Sequence, residues 1–190
     1  MHKHNFLLSL ITVMTILASA EAKGERVQGN EGEMPRLVVN ILIDQLRSDY
    51  LETFSPLYVE DGFQQLLRDG CYYRQAVYSV VPRDRAVGTA TLATGTTPSN
   101  HGIVGERFLH RETLRPTVAV EDATVQGRGT TDRFSPASLL VTTLADELKL
   151  ATGGHAYVVS IAPQATMAIL SGGHAADQAV WIDDRNGQWV

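Results

Sequence analysis

The chain has 190 residues, 44% of them hydrophobic, and a formal net charge of −5. That length supports one real core and at most a small appendage, and the acidic balance excludes a general nucleic-acid binder, which needs a basic face. A single cysteine, Cys71, excludes an internal disulfide framework and a multi-cysteine zinc site; it is expected as a buried small hydrophobe.

In chain order, Met1 to Asn5 supply a basic start, and Phe6 to Leu17 form an apolar run too short to span a bilayer comfortably. Ala18-Ser19-Ala20 and Ala20-Glu21-Ala22 both offer small-x-small cleavage sites. Residues 1–22 therefore read as a signal peptide, with an uncleaved anchor as the alternative. The expectation is an exported protein, periplasmic or secreted, with no membrane span after cleavage. Residues 23–34 are Gly- and Glu-rich without periodicity, a flexible lead-in, and residues 35–190 carry the fold.

Arg36 to Asp44, RLVVNILID, is apolar on both faces. Such a run suits a central strand of a parallel sheet covered on both sides. Asp44 then sits at the carboxyl edge, where open α/β folds gather ligands; it reads either as a metal ligand or as a cap for the next helix. Val59 to Arg68 has helical spacing and stops at Gly70. Tyr72 to Val80 is rich in β-formers and ends at Pro82. Asp84 to Thr94 is small, Ala/Thr-rich and helical, closed by Gly95 and Pro98. Ser135-Pro136 opens the clearest helix, with Leu139, Leu140, Leu144, Leu148 and Leu150 on its face and Gly153-Gly154 after it. His155 to Ile161 is another apolar strand, expected to lie parallel to Arg36–Asp44 in one sheet. Gln178 to Ile182 and Gln188 to Val190 read as a hairpin around Asp183 to Gly187.

Strand and helix alternate, which predicts an α/β fold with a layered, mostly parallel sheet flanked by helices. A P-loop and a nucleophile elbow are both missing from the sequence. The Asp132-Arg133 and Asp183-Asp184-Arg185 clusters read as solvated turns.

Four blocks in order, ILIDQLRSDYL, TATLATGTTPSNHGIVG, SPASLLVTTLADELKLAT and AILSGGHAADQAVWIDDRNGQWV, resemble the amino-terminal half of the alkaline phosphatase superfamily. The branch resembled is that of the phosphate-irrepressible alkaline phosphatases, near the type I phosphodiesterase/nucleotide pyrophosphatases. The resemblance implies metal-dependent hydrolysis of phosphate esters at a two-zinc site, with a Thr or Ser nucleophile on one metal. It makes Asp44 the first metal ligand.

At the other implied site positions the chain departs from the family. The nucleophile slot falls on Arg85, a guanidinium that stays protonated and accepts no phosphoryl group. The slot for a phosphate-binding Asn falls on Glu106, and those for a Lys and an Arg on Gln164 and Thr166. Takeover by Thr89 or Thr91 is the rival reading; both are expected to bond back to helix carbonyls instead. The sulfatase pattern fails at Val80 and Asp84, either side of Pro82. His101 and His174 are expected to be structural, and His110 and His155 to lie at the surface. The implied Asp and His ligands of a carboxyl-terminal half are not in this sequence, which stops inside the expected hairpin; the fold is expected to be incomplete, as in a fragment.

Two readings follow. In one the chain is a superfamily phosphate-ester hydrolase in family terms but inactive alone. In the other it is a non-catalytic pseudophosphatase whose Arg83, Arg85 and Glu106 bind an anion or a protein partner. Either way, Arg85 is expected to pair with Asp44 or Glu106 unless an anion claims it. The tripartite leader generates one expected outcome: mass spectrometry of the exported protein should find its amino terminus at Glu21 or Lys23, and an intact Met1 would refute the leader.

Overall fold

The computed structural model describes residues 35–81 and 84–190, so the leader, the lead-in, Pro82 and Arg83 lie outside the described residues. The chain divides after Val38, and the unit 39–190 holds every helix and strand described.

The first part of that unit is a string of short helices. Helix α1 (Tyr50–Thr53) runs into a 3₁₀ turn (Ser55–Leu57) with proline in its first turn. Helix α2 (Phe63–Asp69) ends at Gly70 as its spacing predicts. It starts at Phe63 rather than Val59 because Gly62, at φ 120°, holds a conformation no helix contains.

Helix α3 (Arg85–Thr94) begins at Asp84, whose Oδ1 accepts from the Val87 amide at 3.1 Å, and ends at Gly95 in the left-handed region. Helix α4 (Pro98–His101) follows, then an antiparallel pair, β1 (Arg107–Leu109) with β2 (Pro116–Val118).

The helix expected from Ser135 begins instead at Leu144, as α5 (Leu144–Ala151). Local chemistry decides this. Thr143 and Asp146 close a capping box, each side chain accepting from the other's backbone amide. Ser135 spends its hydroxyl on Asp122 and on the Ala137 amide, and Leu139 turns into the core.

Strand β3 (Val159–Ile161) is shorter than the expected 155–161 run. It is joined through helix α6 (Ala165–Gly172) to its parallel partner β4 (Gln178–Val180), a β-α-β unit. The expected closing hairpin is present in part, as β5 (Ile182–Asp183) and β6 (Gln188–Trp189), while Gln178–Val180, expected in its first strand, pairs with β3 instead. The class is therefore α/β; among the described residues β3–β4 is the parallel pair and the other two are antiparallel.

The core runs from Ala86 to Trp181: Ala86 and Ala90 of α3 meet Ala168, Ile169 and Leu170 of α6, joined by Ile103, Val120 and Leu139. Fully burying one such leucine contributes about 1.5–3 kcal/mol. From 39 to 81 no described residue is buried.

Three expectations are corrected there. Arg36 to Asp44 is not a strand beside β3: it pairs with nothing described, and Val39 and Ile41 are 67% and 75% exposed. An apolar run becomes a central strand only between neighbours that bond both its edges, and none of the described segments does so. Tyr72 to Val80 likewise forms no strand, because β-propensity expresses fit to a sheet and none of the described segments offers it one. Cys71 is exposed rather than buried.

One polar cluster braces the fold. Asp146, 3% exposed, accepts from the Thr143 amide (2.8 Å), the Thr143 hydroxyl (3.0 Å) and the Ala175 amide (2.7 Å). His174 Nδ1 lies 3.3 Å from it and Nε2 2.9 Å from the Leu139 carbonyl. Gly173, at φ 74°, has no room for a Cβ, which would strike Thr143 and Asp146. Burial opposes the Asp146 charge, but the amides of Thr143, Ala175 and His174 and the Thr143 hydroxyl outweigh it and hold the carboxyl below its ordinary value.

A carboxyl with a lowered folded pKa adds stability that is present above its unfolded pKa and lost as pH falls through the folded value. Asp146→Asn should therefore destabilise by about 2 kcal/mol at neutral pH, the scale of hydrogen bonds to a charged group. Urea unfolding should show the gap between parent and variant closing on acidification below the carboxylate range.

Candidate functional site

Arg85 is the first residue of α3, and two chain-distant groups meet on it. Its Nε lies 2.8 Å from Asp44 Oδ2, and its Nη1 donates to Gln164 Oε1 at 3.2 Å. Gln164 is the N-cap residue of α6. The meeting follows from α3 packing on α6: with the two helices in contact, Arg85 and Gln164 at their amino-terminal ends come within reach of each other. Asp44 sits in the turn after the apolar run, beside Gln45, whose φ is 60°.

The acid that pairs with Arg85 is thus Asp44, one of the two the sequence singles out. Glu106, the other, is held through its backbone, its amide donating to Asp84 Oδ2 at 2.8 Å. Asp84 thereby pins the start of β1 to the start of α3. Thr166 is 4% exposed, on the first turn of α6. The side chains of Arg85 and Asp44 remain 48% and 52% exposed, so the expected cost of a partly buried charge does not arise. A pair so hydrated is worth about 0–1 kcal/mol.

The threonines of α3 differ from expectation. Thr89 Oγ1 donates to Met167 Sδ at 3.0 Å and Thr91 Oγ1 meets His101 Nε2 at 3.2 Å, so both tie α3 to its neighbours. Thr94 is the one that bonds back, to the Ala90 carbonyl at 2.7 Å. His101 is fully buried and accepts from the Ile103 amide on Nδ1 at 3.1 Å, which leaves Nε2 to donate to Thr91. Burial lowers its pKa against a raising contribution from a backbone hydrogen bond. This is the structural role expected of it, and His174, in the Asp146 cluster, has the same.

The Asp183 turn is also not simply solvated. Asp183 is 3% exposed and its carboxylate accepts from Arg185 Nε at 2.8 Å and Thr130 Oγ1 at 2.9 Å. Hydrogen bonds from the Arg185 side chain and amide hold it far below the usual carboxylate range. Arg185 also bonds Thr131 and Asp132, so the arginine stitches the β5–β6 turn to residues 130–132. The sequence signal that could have found this is the Asp-x-Arg spacing across a tight turn.

The described residues do not fit the two-zinc site that the resemblance implies. Among them no group of three His, Cys, Asp or Glu side chains could hold a metal ion. Asp44 faces a guanidinium, and the Asp146 carboxylate is committed to donors of the protein itself. Among the described residues no helix is long and apolar enough to cross a membrane.

The chain is 36% identical to a protein of Myroides odoratus named a calcium-transporting ATPase, over 98% of this chain and 34% of that protein. It is 34% identical to alkaline phosphatase PhoV of Synechococcus elongatus, over 96% of this chain and 34% of that protein. The crystal structure of wild-type alkaline phosphatase PafA superposes with a TM-score of 0.73 at 35% identity, covering 77% of this chain and 29% of that one. A PafA variant with a threonine, an asparagine, a lysine and an arginine substituted superposes with a TM-score of 0.75. The first two positions changed in that variant are spaced as Arg85 and Glu106 are here, and the last two as Gln164 and Thr166. The chain spans about a third of the length of these relatives. The family model for type I phosphodiesterase / nucleotide pyrophosphatase matches residues 38–181, and the chain belongs to that family, within the alkaline phosphatase superfamily.

Proposed function

We propose that this chain is an exported, non-hydrolytic member of a metal-dependent phosphate-ester hydrolase family. In this reading Arg85 stands in the nucleophile position, Glu106, Gln164 and Thr166 stand where phosphate is held, and Asp44 is a former zinc ligand. The observation that carries it is the Arg85–Asp44 ion pair, with Gln164 on the same guanidinium. A protonated guanidinium has no lone pair to attack phosphorus, and it pairs with Asp44, the one implied metal ligand that this chain carries. This holds whatever else a longer gene product contributes, because the nucleophile position belongs to this chain.

Loss of nucleophile and metal together removes stabilisation of several kcal/mol each, on the scale general to such sites. Hydrolysis of aryl phosphate monoesters and diesters in zinc should therefore match buffer, for the parent and for Asp44→Ala alike. Turnover in the parent that Asp44→Ala abolishes would overturn the proposal.

The anion-binding alternative has less in its favour. Two of the Arg85 nitrogens are already committed, and Asp44 places negative charge where an anion would sit. Thermal unfolding should show Arg85→Thr within about 1 kcal/mol of the parent, the worth of an exposed pair. Phosphate should not raise the melting temperature of either. A phosphate-dependent rise in the parent, absent from Arg85→Thr, would establish the anion pocket instead.

A further inference from the structure

The β1–β2 hairpin gathers positive charge on a chain that is acidic overall. Residues 107–115, RFLHRETLR, carry Arg107, Arg111 and Arg115 against Glu112 alone, whereas the whole chain stands at −5. All three arginines are exposed, and among the described residues none of them makes an ion pair. Arg47, Arg68, Arg85 and Arg185 each hold a carboxylate. The neighbouring acids lie at the base of the ribbon: Glu106 precedes β1, and Glu121 accepts from the amide of Val118, the residue paired with Arg107.

Two leucines share this hairpin. Leu109 and Leu114 are 57% and 70% exposed. Leu114 also holds φ 52°, in a turn closed by its amide donating to the His110 carbonyl at 2.8 Å and the His110 amide donating to the Arg115 carbonyl at 2.9 Å. Glycine or asparagine takes that left-handed conformation readily, and a leucine takes it at a cost. Neither burial nor backbone preference accounts for a leucine there.

We propose that the hairpin is a membrane-surface contact: Arg107, Arg111 and Arg115 meet the phosphates of an anionic bilayer while Leu109 and Leu114 enter its headgroup boundary. Guanidinium groups match phosphate in shape and charge, and cationic residues beside exposed apolar ones are the pattern of segments that lie on a bilayer. An acidic polymer in solution would engage the arginines and leave both leucines in water. The penetration is shallow, because backbone groups of the turn without a protein partner need water. The same surface repels the acidic remainder of the chain, so the hairpin is steered to arrive first. The contact requires neither hydrolysis nor the Arg85 corner.

The test uses the full chain in co-sedimentation with phosphatidylcholine vesicles, alone or with about a third phosphatidylglycerol. The anionic vesicles should bind it about tenfold or more tightly than the neutral ones, and added salt should weaken the binding. Arg111→Gln and Arg115→Gln should each weaken it about fivefold, the effect of one arginine near such a surface. Leu114→Asn should weaken it too, while melting at or above the parent's temperature because asparagine suits the backbone there. An environment-sensitive dye on Leu114→Cys, in a Cys71→Ser background, should brighten on anionic vesicles. The same dye on Leu150→Cys, exposed on α5, should not. No preference for anionic vesicles, binding that all three hairpin variants retain, or equal brightening at both positions would each overturn the proposal. Dextran sulfate bound as tightly as the vesicles, with the dye at position 114 dark on both, would assign the arginines to an acidic polymer and overturn it as well.

Discussion

Close contact between α3 and α6 is the constraint on which the rest of the unit depends. It rests on small side chains: Ala86 and Ala90 on one helix and Ala168 on the other are fully buried. Larger residues there would overpack the interface at a cost of about 1–3 kcal/mol. Because the helices approach so nearly, Thr89 reaches Met167 across the gap, and Arg85 and Gln164 meet at its end. The site is thus a corner made by two helix starts, and its geometry is inherited from alanines that perform no chemistry.

A second brace fixes what the helices cannot. Asp146 joins the start of α5 to the segment after α6, and His174 carries the link on to the Leu139 carbonyl. Leu139 itself enters the core, so a buried carboxylate holds an irregular stretch in the place where the sequence pattern suggests a helix. Every buried donor and acceptor described on side chains has a partner. That satisfaction is what lets charged groups lie so near an apolar core.

Legibility in the sequence tracked how local each cause is. Helix α3 was readable because its cap at Asp84, its small interior and its stop at Gly95 are all within a few residues of one another. The β5–β6 hairpin was readable for the same reason. The start of α5 differs from the sequence pattern because five leucines outweigh a capping box that opens at Thr143, eight residues after Ser135, and a cap is a single pair of hydrogen bonds. The run before Asp44 was misread for the opposite reason: its pattern describes a strand correctly but presupposes neighbours, which no local pattern can supply. At the site, charge alone narrowed the partner of Arg85 to Asp44 or Glu106, whereas the choice of Asp44 and the addition of Gln164 required the contacts that only the fold provides. The outward reach of Thr89 and Thr91 was hidden for that reason as well.

The half-exposure of the Arg85–Asp44 pair has a consequence for how such a chain evolves. A buried pair is guarded, since losing either member strands a charge in low dielectric and selection for folding removes the variant. Here water is at hand for whichever member is left behind, so folding exerts almost no pull on either residue. Substitutions at this corner can accumulate, or revert, without the stability threshold registering them. Its sequence is therefore a record of selection on what the corner does, kept almost free of selection on how the protein folds.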